Sequence, residues 1–216
     1  MDKRGFTSFK RRVGISTGMF LRVRGEDTVR IPPYLLGEDF DRVLAVMAKM
    51  RLEGSVQALD MEDIEEEERK VLLVQLLDLE PVGDPFLVHG DGAVYQRVRY
   101  EALAFGVRRE EVVEGEVVEI TKRGRFQGAI VRIGPLNAYL SSSNILDDRL
   151  NIDVKGQMIV GRETKKVLKK DDQVRARVVY VKIDESRPYR SVVGLDMRTP
   201  GLGALKWLQE ERRKKK

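Results

Sequence analysis

The chain has 216 residues, 42% of them hydrophobic and 35% charged, with no cysteine and a single histidine. That length allows one large domain or two small ones, and the composition excludes disulfides, thiolate zinc sites, a cysteine nucleophile and multi-histidine metal sites. The net charge of +5 hides a division: residues 1–18 carry 5 basic and 1 acidic residue, 19–111 carry 12 and 20, and 112–216 carry 23 and 14. Two neighbouring segments of similar length therefore differ from −8 to +9, which predicts two modules with different partners and makes the C-terminal half the nucleic-acid candidate.

In chain order, residues 1–18 are basic, Gly/Ser/Thr-punctuated and aperiodic, and read as a disordered extension. "FLRVRGEDTVRIPP" is strand-like up to Pro32-Pro33, where the missing N–H ends regular pairing. In "EDFDRVLAVMAKMRLEG", Phe40, Val43, Leu44, Met47 and Met50 recur at helical spacing as a core-facing stripe. Acidic residues stand at the N-terminal end of this helix, and Gly54 offers a stop. Residues 55–59 and 71–79 read as strands around an acidic loop, whose Glu65 to Glu68 run is expected to be a solvated charge cluster.

The Gly90-Asp91-Gly92 turn then opens a long alternating strand with Val94, Val98, Tyr100 and Ala102 on one face. Strand, helix and antiparallel sheet predict an α+β first domain. A boundary is expected near Arg108 to Glu111.

The second half reads as five short strands: two in "EVVEGEVVEITKRGRFQGAIVRIGP", one in "LNAYLSSSN", and two more in "QVRARVVYVKID" and "RSVVGLDMR". A polar, looping connection, residues 147–170, precedes the fourth. This pattern predicts an all-β Greek-key barrel of the OB type. In such barrels the face of the second and third strands binds single-stranded nucleic acid. A short C-terminal helix follows, with Thr199 as a cap, Pro200 in the first turn, and Leu202, Leu205 and Leu208 on one stripe. Trp207 is read as a packing anchor.

Catalysis finds no support. His89 beside the Gly-Asp-Gly turn reads as a turn residue, and there is no Gly-x4-Gly-Lys-Ser/Thr phosphate loop and no dinucleotide fingerprint. No cofactor or metal site is expected, and with no apolar run near the ~20 residues of a membrane span, the expected location is the cytoplasm. A metal-dependent enzyme built on the acidic clusters is the reading that no motif supports.

Several blocks carry a resemblance: "EDTVRIPP", "GDGAVYQRVRYEALAF", "EVVEGEVVEI", "VRIGP", "GRETKKVLKKDDQVRARVV" and "MRTPGLGALKWLQEE". In this order, from about Met19 to Glu211, the chain resembles the E-prime family of archaeal DNA-directed RNA polymerase, the larger stalk subunit, similar to the seventh subunit of eukaryotic RNA polymerase II. Met19 falls where members usually begin, so residues 1–18 are expected to be an upstream extension or a start-site choice.

The resemblance implies an α+β tip domain over residues 19–108, an S1-like OB barrel over 109–200, and a C-terminal helix and basic tail over 201–216. It implies a noncatalytic subunit that docks on core RNA polymerase through the tip, around Ile31, Pro32, Pro33, Gly90, Asp91 and Gly92. It further implies a barrel that binds nascent RNA, and, as partners in initiation and elongation, the smaller stalk subunit, called F, and a TFE-type initiation factor. The other reading is a free-standing S1-type RNA-binding protein of translation or RNA decay.

Against the usual S1 pattern, Ile130 replaces an aromatic in "GAIV", and Ser141 replaces a histidine in "AYLSSS". Each lost ring removes base stacking worth roughly 1–3 kcal/mol. RNA is therefore expected to be held mainly by its phosphates, through Lys122, Arg123, Arg125, Arg132, Lys165 and Lys166, with Lys169 and Lys170 near the last two. Phe126 and Tyr139 either pack in the barrel or touch a base.

Overall fold

The structure, a computed structural model, describes residues 13–14, 19–60, 65–124 and 126–214. Two units divide at residues 106 and 107. Arg125, Met61 to Ile64 and most of the expected N-terminal extension lie outside the described residues.

The first unit contains β1 (Val13–Gly14), β2 (Phe20–Ile31), α1 (Phe40–Leu52), β3 (Val56–Ala58), β4 (Lys70–Val88) and β5 (Asp91–Gly106). The strands form one antiparallel sheet in the order β1-β2-β5-β4-β3. Alternation sends Leu21, Val23, Val29 and Ile31 of β2, with Val98, Tyr100, Ala102 and Ala104 of β5, into one core. Val43, Leu44, Ala48 and Leu52 of α1 close it.

Asp39 caps α1 by accepting from the Asp41 and Arg42 amides at 3.1 and 3.3 Å. Beyond the helix, Gly54 takes φ +80°, the left-handed conformation glycine adopts without penalty. Met50 departs from the expected stripe: it is 75% exposed, because the core face of the helix turns onto Ala48 and Leu52 instead.

The strand expected over 71–79 continues to Val88, through Pro81 and Pro85. β3 pairs only with Lys70 to Leu72, which leaves the rest of β4 at the sheet edge, where prolines and bulges are tolerated. Its pairing with β5 shifts register at four places. At one of them the buried Gln96 carboxamide donates to the carbonyls of Val82 and Gly83 at 3.2 and 3.1 Å, satisfying backbone that the bulge leaves unpaired.

The second unit contains β6 (Val112–Arg123), β7 (Phe126–Ile133), β8 (Leu136–Ser141), β9 (Leu150–Asp153), β10 (Met158–Gly161), β11 (Val167–Lys169), β12 (Gln173–Lys182), β13 (Val192–Asp196), β14 (Gly203–Ala204) and α2 (Leu205–Lys214). β13, β8, β7, β6 and β12 are neighbours in that order, and β12 also pairs with β13, so five strands close on themselves. The seam between β8 and β13 is parallel and all the others are antiparallel. This is the Greek-key connectivity of an OB barrel, filled by Val117, Ile120, Val131, Ile133, Leu140, Val178 and Leu195.

Residues 147–170, expected to loop, instead hold the three-stranded sheet β9-β10-β11. Its polar composition obscured short strands whose partners lie only within the segment. Gln157 pins it to the barrel by pairing with both the N–H and the C=O of Ile120. The Asp148 carboxylate caps its far turn, accepting from the Thr164 amide at 3.0 Å and hydroxyl at 2.8 Å. Those bonds, the Thr164 amide foremost, lower its pKa.

The C-terminal helix begins at Leu205, not at Pro200, because Gly203–Ala204 first pair with β12 as β14. Trp207 is its buried residue and donates its Nε1–H to the Val167 carbonyl at 3.2 Å.

Candidate nucleic-acid interface

On the outer surface of β6, β7 and β8 the register sets side chains in rows: Arg123 opposite Phe126, Thr121 opposite Gly128, and Glu116 opposite Arg132. β8 adds Ser141 opposite Gly128, Tyr139 opposite Ile130 and Asn137 opposite Arg132. Phe126 is 65% exposed, so it lies on the surface and not in the barrel. Its ring meets that of Tyr139 edge-on at 5.8 Å. Tyr139 is half-buried, donates its hydroxyl to the Gln127 carbonyl at 2.9 Å, and is held protonated by burial, which raises its pKa.

Gly128 is the residue that permits this. A Cβ there would collide with the Leu140 carbonyl and approach the Ser142 amide to 2.9 Å, at a φ of +152°. At the two departures from the usual S1 pattern, Ile130 is partly buried opposite Tyr139, and the Ser141 hydroxyl is engaged with Ser143 at 2.9 Å.

Among the described residues, the expected cations do not form one groove. Arg123 and Arg132 stand at opposite ends of the face, with Glu119 and Glu116 between or opposite them. Arg123 lies 3.9 Å from Glu119. Lys122, one residue from Arg123, falls on the alternate side of the hairpin, opposite Gln127. Lys165 is exposed in the turn between β10 and β11 at φ +56°. Lys166 is turned toward α2, bonded to Glu211 at 2.8 Å and lying 5.4 Å from the Trp207 ring; it is a packing residue of the helix. Lys169 is on β11 and Lys170 follows it, both exposed.

Sequence reasoning missed Tyr180, Lys182, Tyr189 and Arg190. Tyr180 on β12 is 49% exposed, and Tyr189 in the following turn is 80% exposed with the Arg190 guanidinium 6.0 Å from its ring. The signal for Tyr180 was present in "RARVVYVK", but a bulge between Val178 and Tyr180 shifts the alternation there.

The S1 RNA binding domain model matches residues 107–192. DNA-directed RNA polymerase subunit Rpo7 of Sulfolobus acidocaldarius is 28% identical over 193 residues, 89% of this chain and 97% of that protein. The Rpo7 subunits of Saccharolobus shibatae and Saccharolobus solfataricus are each 31% identical over 195 residues, 90% of this chain and all of theirs. The chain belongs to the archaeal Rpo7 family of DNA-directed RNA polymerase subunits. The apo form of Mycoplasma genitalium RNase R matches 40% of this chain and 13% of its own at 24% identity and a TM-score of 0.32, a likeness that carries no argument.

In this Rpo7-family chain the residues expected to dock on core polymerase do come together at one end of the first unit. Ile31 pairs with Val94 at the end of β2, and the Pro33 ring lies 3.6 Å from where a Gly92 Cβ would stand. Ile31 and Pro32 are buried, so Pro33, Gly90 and Gly92 supply the exposed surface. Asp91 is held from below: Arg30 forks onto it at 2.7 and 2.9 Å and the Tyr95 hydroxyl donates at 2.6 Å. The Arg30 guanidinium, with Tyr95, keeps the Asp91 carboxyl well below the usual carboxylate range.

Among the described residues no group of three or more His, Cys, Asp or Glu is placed to hold a metal ion. No described helix is long and apolar enough to cross a membrane.

Proposed function

We propose that the chain is the larger stalk subunit of an archaeal DNA-directed RNA polymerase, holding nascent single-stranded RNA on its barrel while its first unit docks on the core enzyme. The observation that carries this reading is the outer face of β6, β7 and β8. There an exposed aromatic, Phe126, is braced by Tyr139, with Arg123 and Arg132 at the two ends of the face. A ring stacks on any base and a guanidinium pairs with any phosphate, so such a face accepts transcripts without regard to sequence.

Docking would use the exposed Pro33, Gly90 and Gly92 around the fixed Asp91 carboxylate. Partnership with the smaller stalk subunit and a TFE-type factor, and assistance to initiation and elongation, complete the proposal. The role we propose is binding, not catalysis.

Arg123→Glu with Arg132→Glu should weaken RNA binding of the full chain on unrelated sequences alike and flatten its salt dependence by roughly 0.7 in log–log slope for each phosphate no longer neutralised. Unchanged binding would remove these residues from the interface. Capture of the tagged protein from its native cells should bring down the large polymerase subunits. Their absence at mild salt would favour the free-standing S1-type module.

A further inference from the structure

The barrel's outer surface continues past β8 onto β13 and β12. Tyr139 lies opposite Gly194 across the parallel seam, and Gly194 lies opposite Tyr180 across the next pairing. Val193 and Leu195 are fully buried, so Gly194 faces outward between the two tyrosines. Two strand spacings of about 4.8 Å put the Tyr139 and Tyr180 backbones roughly 10 Å apart, over Gly194, with the Val179 side chain beside it at the bulge. Stacked rings sit about 4.5–7 Å centroid to centroid, so this gap admits one planar ring with a tyrosine on each side.

The walls are fixed by their own contacts. Tyr139 is anchored at its hydroxyl on Gln127 and along its edge by Phe126, on the side away from Gly194. A Cβ on Gly194 would come within 3.2 Å of the Tyr180 Cβ and 3.6 Å of Val179 Cγ2, so a larger residue would fill the gap.

The cations around it are one-sided, and Glu116, opposite Arg132 on the far strand, forms no ion pair with it. One rung along, Arg132 is opposite Asn137, two residues from Tyr139, and Lys182 is opposite Val192, two residues from Gly194. Both cations are exposed, and neither forms an ion pair with a described residue. On the other side Asp196 is buried between Arg177 at 3.6 Å and Arg198 at 2.9 Å, so those two cations are engaged by its carboxylate.

We propose that Gly194 floors a slot that takes one base of single-stranded RNA between Tyr139 and Tyr180, with the adjoining phosphate on Arg132 and Lys182. The slot rests on the RNA-binding reading and extends it from the β6–β8 face to β13 and β12. It reads no sequence, because both walls are aromatic faces.

The test is fluorescence anisotropy of the full chain with short oligo(U) and oligo(A), alongside photocrosslinking to 4-thiouridine-containing RNA. Tyr180→Ala should weaken both oligomers roughly 5- to 100-fold, the range of a lost base stack, while Tyr180→Phe stays within about twofold because the ring is kept. Gly194→Val, checked by thermal melting to be folded, should weaken binding as Tyr180→Ala does, and adducts should fall on Tyr139 or Tyr180. Lys182→Gln should lower the salt slope by roughly 0.7.

If Tyr180→Ala binds as the parent does while Arg123→Glu and Arg132→Glu weaken binding, the slot is wrong and RNA binding by the barrel stands. If Tyr180→Phe is as weak as Tyr180→Ala, stacking is wrong. If the parent chain binds neither oligomer, the underlying RNA reading fails.

Discussion

On the open face of the first unit's sheet, Arg22 and Arg24 share Glu101, Arg99 holds Glu26, and Arg30 holds Asp91, each across a strand boundary. On the barrel, Arg132 and Lys182 point outward from the same kind of antiparallel ladder and form no ion pair with a described residue, although Glu116 stands opposite Arg132. Both units alternate apolar and charged residues along their strands, but on the first Arg22, Arg24, Arg30 and Arg99 are paired within the sheet, with Arg97 set against the Phe86 ring instead, and on the second Arg132 and Lys182 are left unpaired among the described residues. An arginine's availability to phosphate is thus set by whether a carboxylate actually engages it, not by its own exposure.

The largest expected effect that bears on this contrast comes from Gly128→Val. It drives a branched side chain into the Leu140 carbonyl on the barrel's outer face and should cost at least about 3 kcal/mol, unfolding much of the second unit. Amide spectra should lose the barrel signals while those of the first unit persist; loss of both together would break the description of two separate units.

Trp207→Ala removes the buried residue of α2, its bond to Val167 and the ring beneath Lys166. A loss of about 3–5 kcal/mol is expected in urea unfolding followed on barrel signals. In RNA binding the contrast is direct. Arg22→Gln with Arg24→Gln, which releases Glu101, should change affinity less than about twofold, whereas Arg132→Glu should lower it several-fold on any sequence, as anisotropy at fixed salt will read.

Smaller effects test the first unit's ion pairs. Asp91 titrates below an ordinary carboxylate in the fold, so the stability it adds is fully present above the unfolded value of about 3.9. That stability fades as pH falls through the lower folded value. The destabilisation by Asp91→Asn should therefore be constant near neutrality and shrink below about pH 4, as paired denaturation curves will show. Asp39→Ala, which deletes the cap of α1, should cost about 1 kcal/mol in the same assay.

Much of this was legible in the residues. Asp39 and Gly54 mark the ends of α1, Pro32-Pro33 the end of β2, the Gly90-Asp91-Gly92 turn the start of β5, and the five alternating runs after residue 111 the barrel. These signals are local: a cap, a missing N–H, or an alternation is written within a few residues and acts on the same few residues. The strands β9 to β11 were lost because their polar composition resembles a loop, and the extension of β4 because prolines normally end a strand that is not at an edge.

The candidate site divides in the same way. That Arg123, Phe126, Arg132 and Tyr139 belong to one strand pair and its neighbour follows from their spacing, and the structure sets them on a common face. Lys166 looked equally available, and it is the distant Glu211 and Trp207 that take it. Tyr180 gave no sign of joining Tyr139, because the parallel seam that sets Gly194 between them is a non-local pairing between β8 and β13, and the bulge in β12 then selects which side chain faces out. The sequence by itself determined α1, the long strands of the first unit's core and the five barrel strands, and the surplus of positive charge in the second half. Tertiary structure decided which cations are neutralised and which rings share a face, since both depend on the strand brought alongside and on its register.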